Sequence, residues 1–414
     1  MLVKKKGEDI MKSLLKTAPI ALALVMLLTL ALVGGCTKEV PKEVVKEVPV
    51  KIVTKEVVKE VPVEVEKIVE VMVEAKTVTI VDGTGKYVEV PFPAKRIVAL
   101  AEGKAAELIC LFGEVGKIAG RDALSTFPSY LQDVPEVAGS SYNPNVELLL
   151  EVKPDVVIAG TMLNIVPGIR EKIEAAGVAV VVDSPGNPDR LIPFISNLGI
   201  MLDQKEKAQE IIEYMEQYQD LVEKRIKTVA AEDRPTVFFE WRSVPYNGCS
   251  AQGIFHKTLV DAGAINIAAG EAAQYPKLSP EWVYAQDPDI IIRSITHDLD
   301  IEGMKQDRQG LMERQGLSAL RAVEEGNVYI ANYAVTAGLR YHIGLLAFAK
   351  WCHPDLFCDI DLDKVYQDTV EKFFGAEEWQ KLDTVSYYPM SRPTCEEPDL
   401  PESGMPGGMP GSKP

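Results

Sequence analysis

The side chains best suited to bind a ligand follow the predicted β-strands. Arginine offers a planar set of N–H donors that fits carboxylates and other oxyanions, and aromatic rings add flat apolar surface. In open α/β sheets, ligands bind outside the carboxyl ends of the strands. We therefore expect a cleft lined by Glu102, Arg121, Trp241, Arg242, Arg293, Arg340 and Tyr341. Any one arginine could be a solvated strand-end residue, but their shared location favours at least two in one cleft, with Arg242 and Arg340 first.

Two glutamates begin similar segments of the chain. Residues 145–158 and 279–292 align without a gap, and each has a glutamate, a short amphipathic stretch, Pro-Asp and three β-branched apolar residues. Such an internal match indicates two similar lobes. Taken singly, Glu147 and Glu281 are acids favoured at a helix N-terminus. As a symmetric pair they could dock a two-fold partner.

Signals for enzymes and metal sites are weak. The chain has neither a phosphate-binding loop nor a Gly-x-Ser-x-Gly motif, so no catalytic residue and no cofactor is predicted. The four histidines lie far apart: His256, His297, His342 and His353. His297 and His342 both follow strands, which leaves a metal role open, but we expect core or surface histidines and no metal site.

Cysteine spacing and net charge restrict the partners further. Cys352, His353 and Cys358 fit no zinc spacing, and a disulfide or free thiols are expected there instead. The net charge of −17 argues against nucleic-acid binding, which needs a basic face.

These side chains must be positioned by two sheets and a long helix. Strands alternate with helices, which predicts an α/β fold with two doubly wound lobes joined by one long α-helix. The N-terminal lobe spans 77–189, the inter-lobe helix 190–233 and the C-terminal lobe 234–385. The helix segment has a 3.6-residue apolar period, and at about 1.5 Å per residue it would span about 45 Å. Residues 386–414 are expected to be a disordered tail, rich in Pro, Gly and Ser.

The N-terminus is typical of an exported, tethered protein. Residues 1–36 combine a basic start, an apolar run and Val-Gly-Gly-Cys, which resembles a lipobox with Cys36 as the lipidated residue. A plain signal anchor is the alternative. Residues 37–76 repeat Lys, Glu, Val and Pro, and predict an extended stalk. We expect the protein on the outer face of the cytoplasmic membrane, extracellular or periplasmic.

Taken together, these segments resemble the periplasmic or lipid-anchored binding proteins that feed ABC importers of ferric siderophores, haem and vitamin B12. The resemblance covers roughly residues 77–374. It rests on residues 93–100, the repeated segments 145–158 and 281–292, and the inter-lobe helix. Residues 338–354 are similar to the iron or metal-chelate branch of that family, which is often archaeal.

The resemblance implies a stiff two-lobed protein with its ligand between the lobes, and salt bridges from Glu147 and Glu281 to arginines of an ABC permease dimer. The expected function is an extracytoplasmic substrate-binding protein, not an enzyme, that captures an iron chelate (siderophore or haem) or another metal complex. Cobalamin is the alternative ligand. A surface α/β enzyme and a structural protein that assembles through the stalk are alternatives from other classes.

Overall fold

The computed structural model describes residues 45–47, 76–242, 244–296, 298–382 and 386–389. The predicted signal peptide, Cys36, most of the stalk, His297 and the segment from 390 onward lie outside the described residues. No helix among the described residues is long and apolar enough to cross a membrane.

The described chain alternates strands and helices. The strands are β1 (Val45–Glu47), β2 (Lys76–Val81), β3 (Tyr87–Pro91), β4 (Ile97–Leu100), β5 (Ile118–Asp122), β6 (Glu136–Ala138), β7 (Val156–Ala159), β8 (Ala179–Val182), β9 (Thr236–Trp241), β10 (Ile265–Asn266), β11 (Ile290–Ile295), β12 (Val328–Asn332) and β13 (Tyr387–Tyr388). The helices are α1 (Lys104–Leu111), α2 (Val146–Glu151), α3 (Ile169–Ala175), α4 (Pro188–Leu202), α5 (Lys205–Ile226), α6 (Ile254–Asp261), α7 (Pro280–Gln286), α8 (Ile301–Met312), α9 (Arg321–Glu324), α10 (Tyr333–Thr336), α11 (Tyr341–Cys352), α12 (Leu362–Phe374) and α13 (Ala376–Gln380).

The N-terminal lobe is built on a parallel five-stranded sheet in the order β6-β5-β4-β7-β8. Every residue of β4 and β7 is buried, because helices cover both faces. Ile97 and Ala99 join one apolar cluster, while Val98 and Leu100 join another on the opposite face. The predicted doubly wound arrangement is confirmed. An antiparallel hairpin of β2 and β3 precedes it, and β1 pairs with β2.

The C-terminal lobe repeats this plan in the order β10-β9-β11-β12-β13. The first four strands are parallel, and β13 adds an antiparallel edge strand. The expectation of a disordered segment from 386 is therefore wrong for 386–389. The side chain of Tyr387 is only 2% exposed, and its hydroxyl donates to Asp363 Oδ1 at 2.6 Å, which holds this strand against the lobe.

Two helices, not one, connect the lobes. The prediction of a continuous helix over 190–233 is wrong because α4 ends at Leu202 and α5 begins at Lys205. Asp203 at the junction has a left-handed φ of 60°. A Cβ at Gly199 would lie 2.5 Å from the Cβ of Ala208, so this glycine lets the two helices pack closely. The apolar period is real in α5, whose 22 residues correspond to about 33 Å.

Candidate functional site

The N-terminal lobe places a strained carboxylate just after β4. Glu102 has a φ of 47°, which is unusual for a residue other than glycine and is common at binding sites. Its Oε1 accepts a hydrogen bond from Ser141 Oγ at 2.6 Å. A Cβ at Gly160 would lie 2.9 Å from the same Oε1, so only a glycine leaves room for this carboxylate. Burial, with a smaller contribution from the charge of Glu102, raises the pKa of Asp122 to about 6.

The C-terminal lobe supplies a cluster of aromatic rings, which we call the aromatic wall: Trp241, Tyr275 and Tyr333. The ring centroid of Trp241 lies 5.9 Å from that of Tyr275 and 5.2 Å from that of Tyr333. Arg242 follows Trp241 with a φ of 60°. Its side chain is exposed, and its guanidinium carbon lies 5.0 Å from the Trp241 ring centroid. The wall therefore carries a cation at its solvent side.

Tyr333 brings the two lobes together at this point. The Nζ of Lys104, in α1, lies 4.8 Å from the Tyr333 ring centroid, and a Cβ at Gly186 would lie 2.9 Å from the Tyr333 hydroxyl. Burial raises the pKa of Tyr333; the carboxylate of Glu102 raises it further, whereas Arg242 lowers it. Both charges therefore act on the same hydroxyl. We call Glu102, Ser141, Trp241, Arg242 and Tyr333 the inter-lobe site.

Lys104 is a buried cation beside this site. Its side chain is 6% exposed. Burial lowers its pKa to about 8, opposed mainly by the negative charge of Glu107. Sequence reasoning did not select Lys104, Ser141, Tyr275 or Tyr333. Tyr333 follows β12 directly, so the strand-end rule does reach it, although it is not among the predicted ligand residues. Tyr275 lies in a long loop that carries no such signal.

Arg340 is engaged between the lobes. Its Nε lies 3.0 Å from Glu107 Oε1 in α1, and its Nη1 donates to the Tyr366 hydroxyl at 3.0 Å. The Phe127 ring covers the guanidinium carbon at 4.8 Å. With Arg340 6% exposed, these contacts hold the lobes against each other, and we leave Arg340 out of the proposed ligand site.

Arg121, Arg293 and Tyr341 are also held by protein contacts. Arg121 Nε donates to the Leu131 carbonyl oxygen at 2.8 Å. Arg293 Nε lies 3.2 Å from Asp307 Oδ2. The Tyr341 hydroxyl donates to Asp261 at 3.2 Å, beside a separate cavity of about 440 Å³ bounded by α5, α6 and α11. Of the seven predicted ligand residues, Trp241 and Arg242 lie against each other, and Glu102 and Arg242 both act on the Tyr333 hydroxyl. Arg121, Arg293, Arg340 and Tyr341 are engaged elsewhere.

The internal repeat is visible in the hydrogen bonds. Asp155 Oδ2 accepts from the backbone N–H of Arg96 at 2.9 Å, immediately before β4. Asp289 Oδ2 accepts from the N–H of Thr236 at 2.7 Å, at the start of β9. Each aspartate thus links the start of one strand (β7 or β11) to the start of its neighbour in the sheet (β4 or β9). The two lobes therefore share the same local hydrogen bonds.

Glu147 and Glu281 occupy matching, exposed positions in this repeat. Each lies in the first helical turn, of α2 and α7 respectively, where the helix dipole favours an acid. The side chains of Asn145 and Ser279 cap these helices. Hydrogen bonds from its own backbone and from Ser279 lower the pKa of Glu281, so it is charged at neutral pH and available at the surface.

The histidines and cysteines take individual structural positions. His342 is buried between the Leu339 carbonyl oxygen and the Thr369 hydroxyl, at 3.1 and 3.0 Å. Cys352 is a free thiol, whereas Cys358 is disulfide-bonded. Within the described ranges, no group of three or more His, Cys, Asp or Glu side chains is arranged to hold a metal ion.

Comparison with known proteins agrees with this architecture. A family model described as periplasmic binding protein matches residues 97–333. The chain is 23% identical to an uncharacterized ABC transporter substrate-binding lipoprotein, YvrC, of Bacillus subtilis, over 69% of this chain and 88% of that protein. It is 27% identical to a vitamin B12-binding protein of Vibrio cholerae, over 58% of this chain and 82% of that protein.

A solved structure has the same fold. The TroA-like periplasmic binding protein FepB of Veillonella parvula superposes with a TM-score of 0.63 at 22% identity, covering 76% of this chain and 99% of that one. The family model spans more than half of this chain, and its matched region contains the parallel strands of both lobes and every residue of the inter-lobe site. The chain therefore belongs to the periplasmic binding protein family, the substrate-binding proteins of ABC transporters.

Proposed function

We propose that this substrate-binding protein captures a metal chelate, an iron complex of the siderophore or haem class, in the inter-lobe site and delivers it to an ABC permease. The protein is extracytoplasmic and belongs to a class of transport proteins rather than enzymes, so the alternative of a surface enzyme is set aside. The lipid anchor at Cys36 and the identity of the ligand belong to the proposal.

One observation carries the choice of ligand class. Tyr333 is partly exposed and packs against the Trp241 ring, which is itself 5% exposed, and the exposed guanidinium of Arg242 lies over that ring. Flat apolar surface with an adjacent cation suits a large, rigid complex with an anionic edge. Small bare ions would instead need several converging ligand atoms.

Cobalamin is the second candidate, and a specific observation favours it. Three of the four predicted arginines have partners within the protein, which leaves Arg242 as the arginine at this site. A highly charged ferric complex would be poorly neutralised there. A bulky ligand with little net charge would fit the aromatic wall equally well, and the relative from Vibrio cholerae is named as a vitamin B12-binding protein.

Tryptophan fluorescence tests the proposal. The mature protein is titrated with ferric citrate, ferrioxamine B, hemin and cyanocobalamin, and we expect saturable quenching by one of them. Trp241→Phe should abolish most of the quench and so separate binding from optical absorption by the ligand. No binding of any of the four probes by folded protein would contradict the proposed function.

Arg242→Gln should weaken binding of the quenching probe by about tenfold or more, since a hydrogen bond to a charged group contributes about 1.5–3 kcal/mol. Arg321→Gln is the matched control. Its side chain is half exposed and pairs with Asp289, at the amino end of the same sheet and therefore away from the site. Equal losses in the two variants would remove Arg242 from the site.

Glu147 and Glu281 are proposed to dock the permease dimer, one glutamate per lobe. Reversing either charge, as Glu147→Lys or Glu281→Lys, should leave ligand affinity unchanged and lower uptake into vesicles that contain the permease. Glu151→Lys, a charge reversal at the other end of α2, is the control. Normal uptake by both glutamate variants would refute the docking role. Mass spectrometry of the peptide containing Cys36 tests the lipid anchor.

A further inference from the structure

The two charged residues of the inter-lobe site occupy equivalent positions in the two lobes. Asp155 and Asp289 mark the starts of β4 and β9 by accepting from the N–H of Arg96 and Thr236. Strand pairing gives the same alignment, because Ile97 pairs with Val156 and Val237 with Ile290. Counting six residues onward from Arg96 reaches Glu102. Counting six residues onward from Thr236 reaches Arg242.

Both residues also share a backbone conformation that side chains rarely adopt. The φ angle is 47° at Glu102 and 60° at Arg242. Such strain persists where the surrounding structure enforces it, and it is concentrated at binding sites. The fold thus presents one side chain from each lobe in the same way, just after the carboxyl end of the equivalent strand, β4 or β9. The lobes differ in the charge that they present there.

Neither charge has a direct ion-pair partner, although the buried cation of Lys104 acts on Glu102 at longer range. Among the described residues, Glu102 and Arg242 form no ion pair, whereas Arg121, Arg293 and Arg340 each do. Glu102 accepts one hydrogen bond, from Ser141. Arg242 lies over the Trp241 ring. A carboxylate accepts hydrogen bonds and a guanidinium donates them. The Glu102 side of the site therefore binds donors and the Arg242 side binds acceptors.

We infer that the ligand is amphoteric: it presents hydrogen-bond donors to Glu102 of the N-terminal lobe and an anionic group to Arg242 of the C-terminal lobe. This inference rests on the proposed function, and among metal chelates it favours the second candidate, cobalamin. A chelate whose whole periphery is carboxylate would bring acceptors against Glu102. A corrinoid with amide N–H donors at one edge and a phosphate at another satisfies both sides, with the aromatic wall against its flat apolar surface.

Equilibrium dialysis of the full mature chain tests this polarity with five probes: ferric citrate, ferrioxamine B, hemin, cyanocobalamin and dicyanocobinamide. The last two share their amide donors, but only cyanocobalamin carries the phosphate. For the tightest-binding probe, Glu102→Gln and Arg242→Gln should each weaken binding by at least about tenfold. Arg242→Gln should weaken cyanocobalamin binding and leave dicyanocobinamide binding unchanged, while Glu102→Gln should weaken both. Glu102→Asn and Arg242→Asn repeat the test, because asparagine tolerates a positive φ better than glutamine does and so separates loss of the charge from backbone strain.

The outcomes separate this inference from the proposed function. If the tightest probe binds equally well or better after Glu102→Gln, the protein is still a chelate-binding protein and the amphoteric inference is overturned. Unchanged binding after Arg242→Gln overturns it in the same way. If none of the five probes binds to the folded protein, the proposed function fails and this inference fails with it. Arg321→Gln, at the amino end of the strands and away from the site, should leave every affinity unchanged.

Discussion

The ion pair between Glu107 and Arg340 is the contact between the lobes whose loss should destabilise the protein most. Glu107 lies in α1 of the N-terminal lobe and is 4% exposed, and Arg340 of the C-terminal lobe is 6% exposed. Burial lowers the pKa of Arg340, but the Glu107 carboxylate and the Tyr366 hydroxyl together outweigh it and the net shift is upward, so the guanidinium is charged. Removing one partner of a buried pair typically costs about 3–5 kcal/mol. Because Tyr366 also contacts Arg340, we expect Glu107→Gln to cost about 3 kcal/mol.

Urea unfolding followed by circular dichroism measures this cost. Lys86→Gln is the control, because the Lys86–Glu174 pair is largely exposed and should contribute less than about 1 kcal/mol. The double variant Glu107→Leu with Arg340→Met should recover most of the lost stability, since it leaves no unpaired charge. A loss below about 1 kcal/mol for Glu107→Gln would refute the reasoning that this pair is buried and unscreened.

Two further predictions concern stability. Burial lowers the pKa of His342 from 6.5 to about 4. Between these pH values the unfolded chain therefore binds more protons than the folded one. The free energy of unfolding should fall as pH drops through this window, by roughly 3 kcal/mol in total. Urea unfolding at pH 7.5, 6 and 5 should show a shallower decline for His342→Gln, and an equal decline would exclude this histidine as the cause. Tyr387→Ala should cost about 3 kcal/mol, in the range for removing a buried aromatic ring, whereas an unchanged midpoint would mean that β13 does not stabilise the sheet.

The fold was predictable because its signals are local and repeated. Residues 145–158 and 279–292 share an order of turn, helix, Pro-Asp and apolar strand, and each structural element appears where this order places it. The break between α4 and α5 was not predicted, because the apolar period continues across it. Its determinants are tertiary: Asp203 adopts a left-handed φ, and Gly199 accepts the close approach of Ala208.

The edge strand β13 was missed for a different reason. The composition from 386 onward resembles a disordered tail, and Tyr387 and Tyr388 form too short a run to produce a strand pattern. Pairing with β12 and the hydrogen bond from Tyr387 to Asp363 order this segment. Both contacts join residues far apart in sequence, so composition alone could not indicate them.

The same limit explains which arginines reached the inter-lobe site. Arg121, Arg242 and Arg293 all lie at or just after the carboxyl ends of strands, so the strand-end rule treats them alike. Arg121 and Arg293 lie within β5 and β11, where their guanidinium groups can turn back onto nearby carbonyl oxygens or carboxylates. Arg242 lies one residue beyond β9 with a left-handed φ, which turns the backbone out of the sheet and leaves its side chain exposed. Glu102 follows β4 with the same kind of φ. Position at a strand end selects candidates, but the strained backbone after the first strand of each sheet distinguishes the two charges that remain available to a ligand.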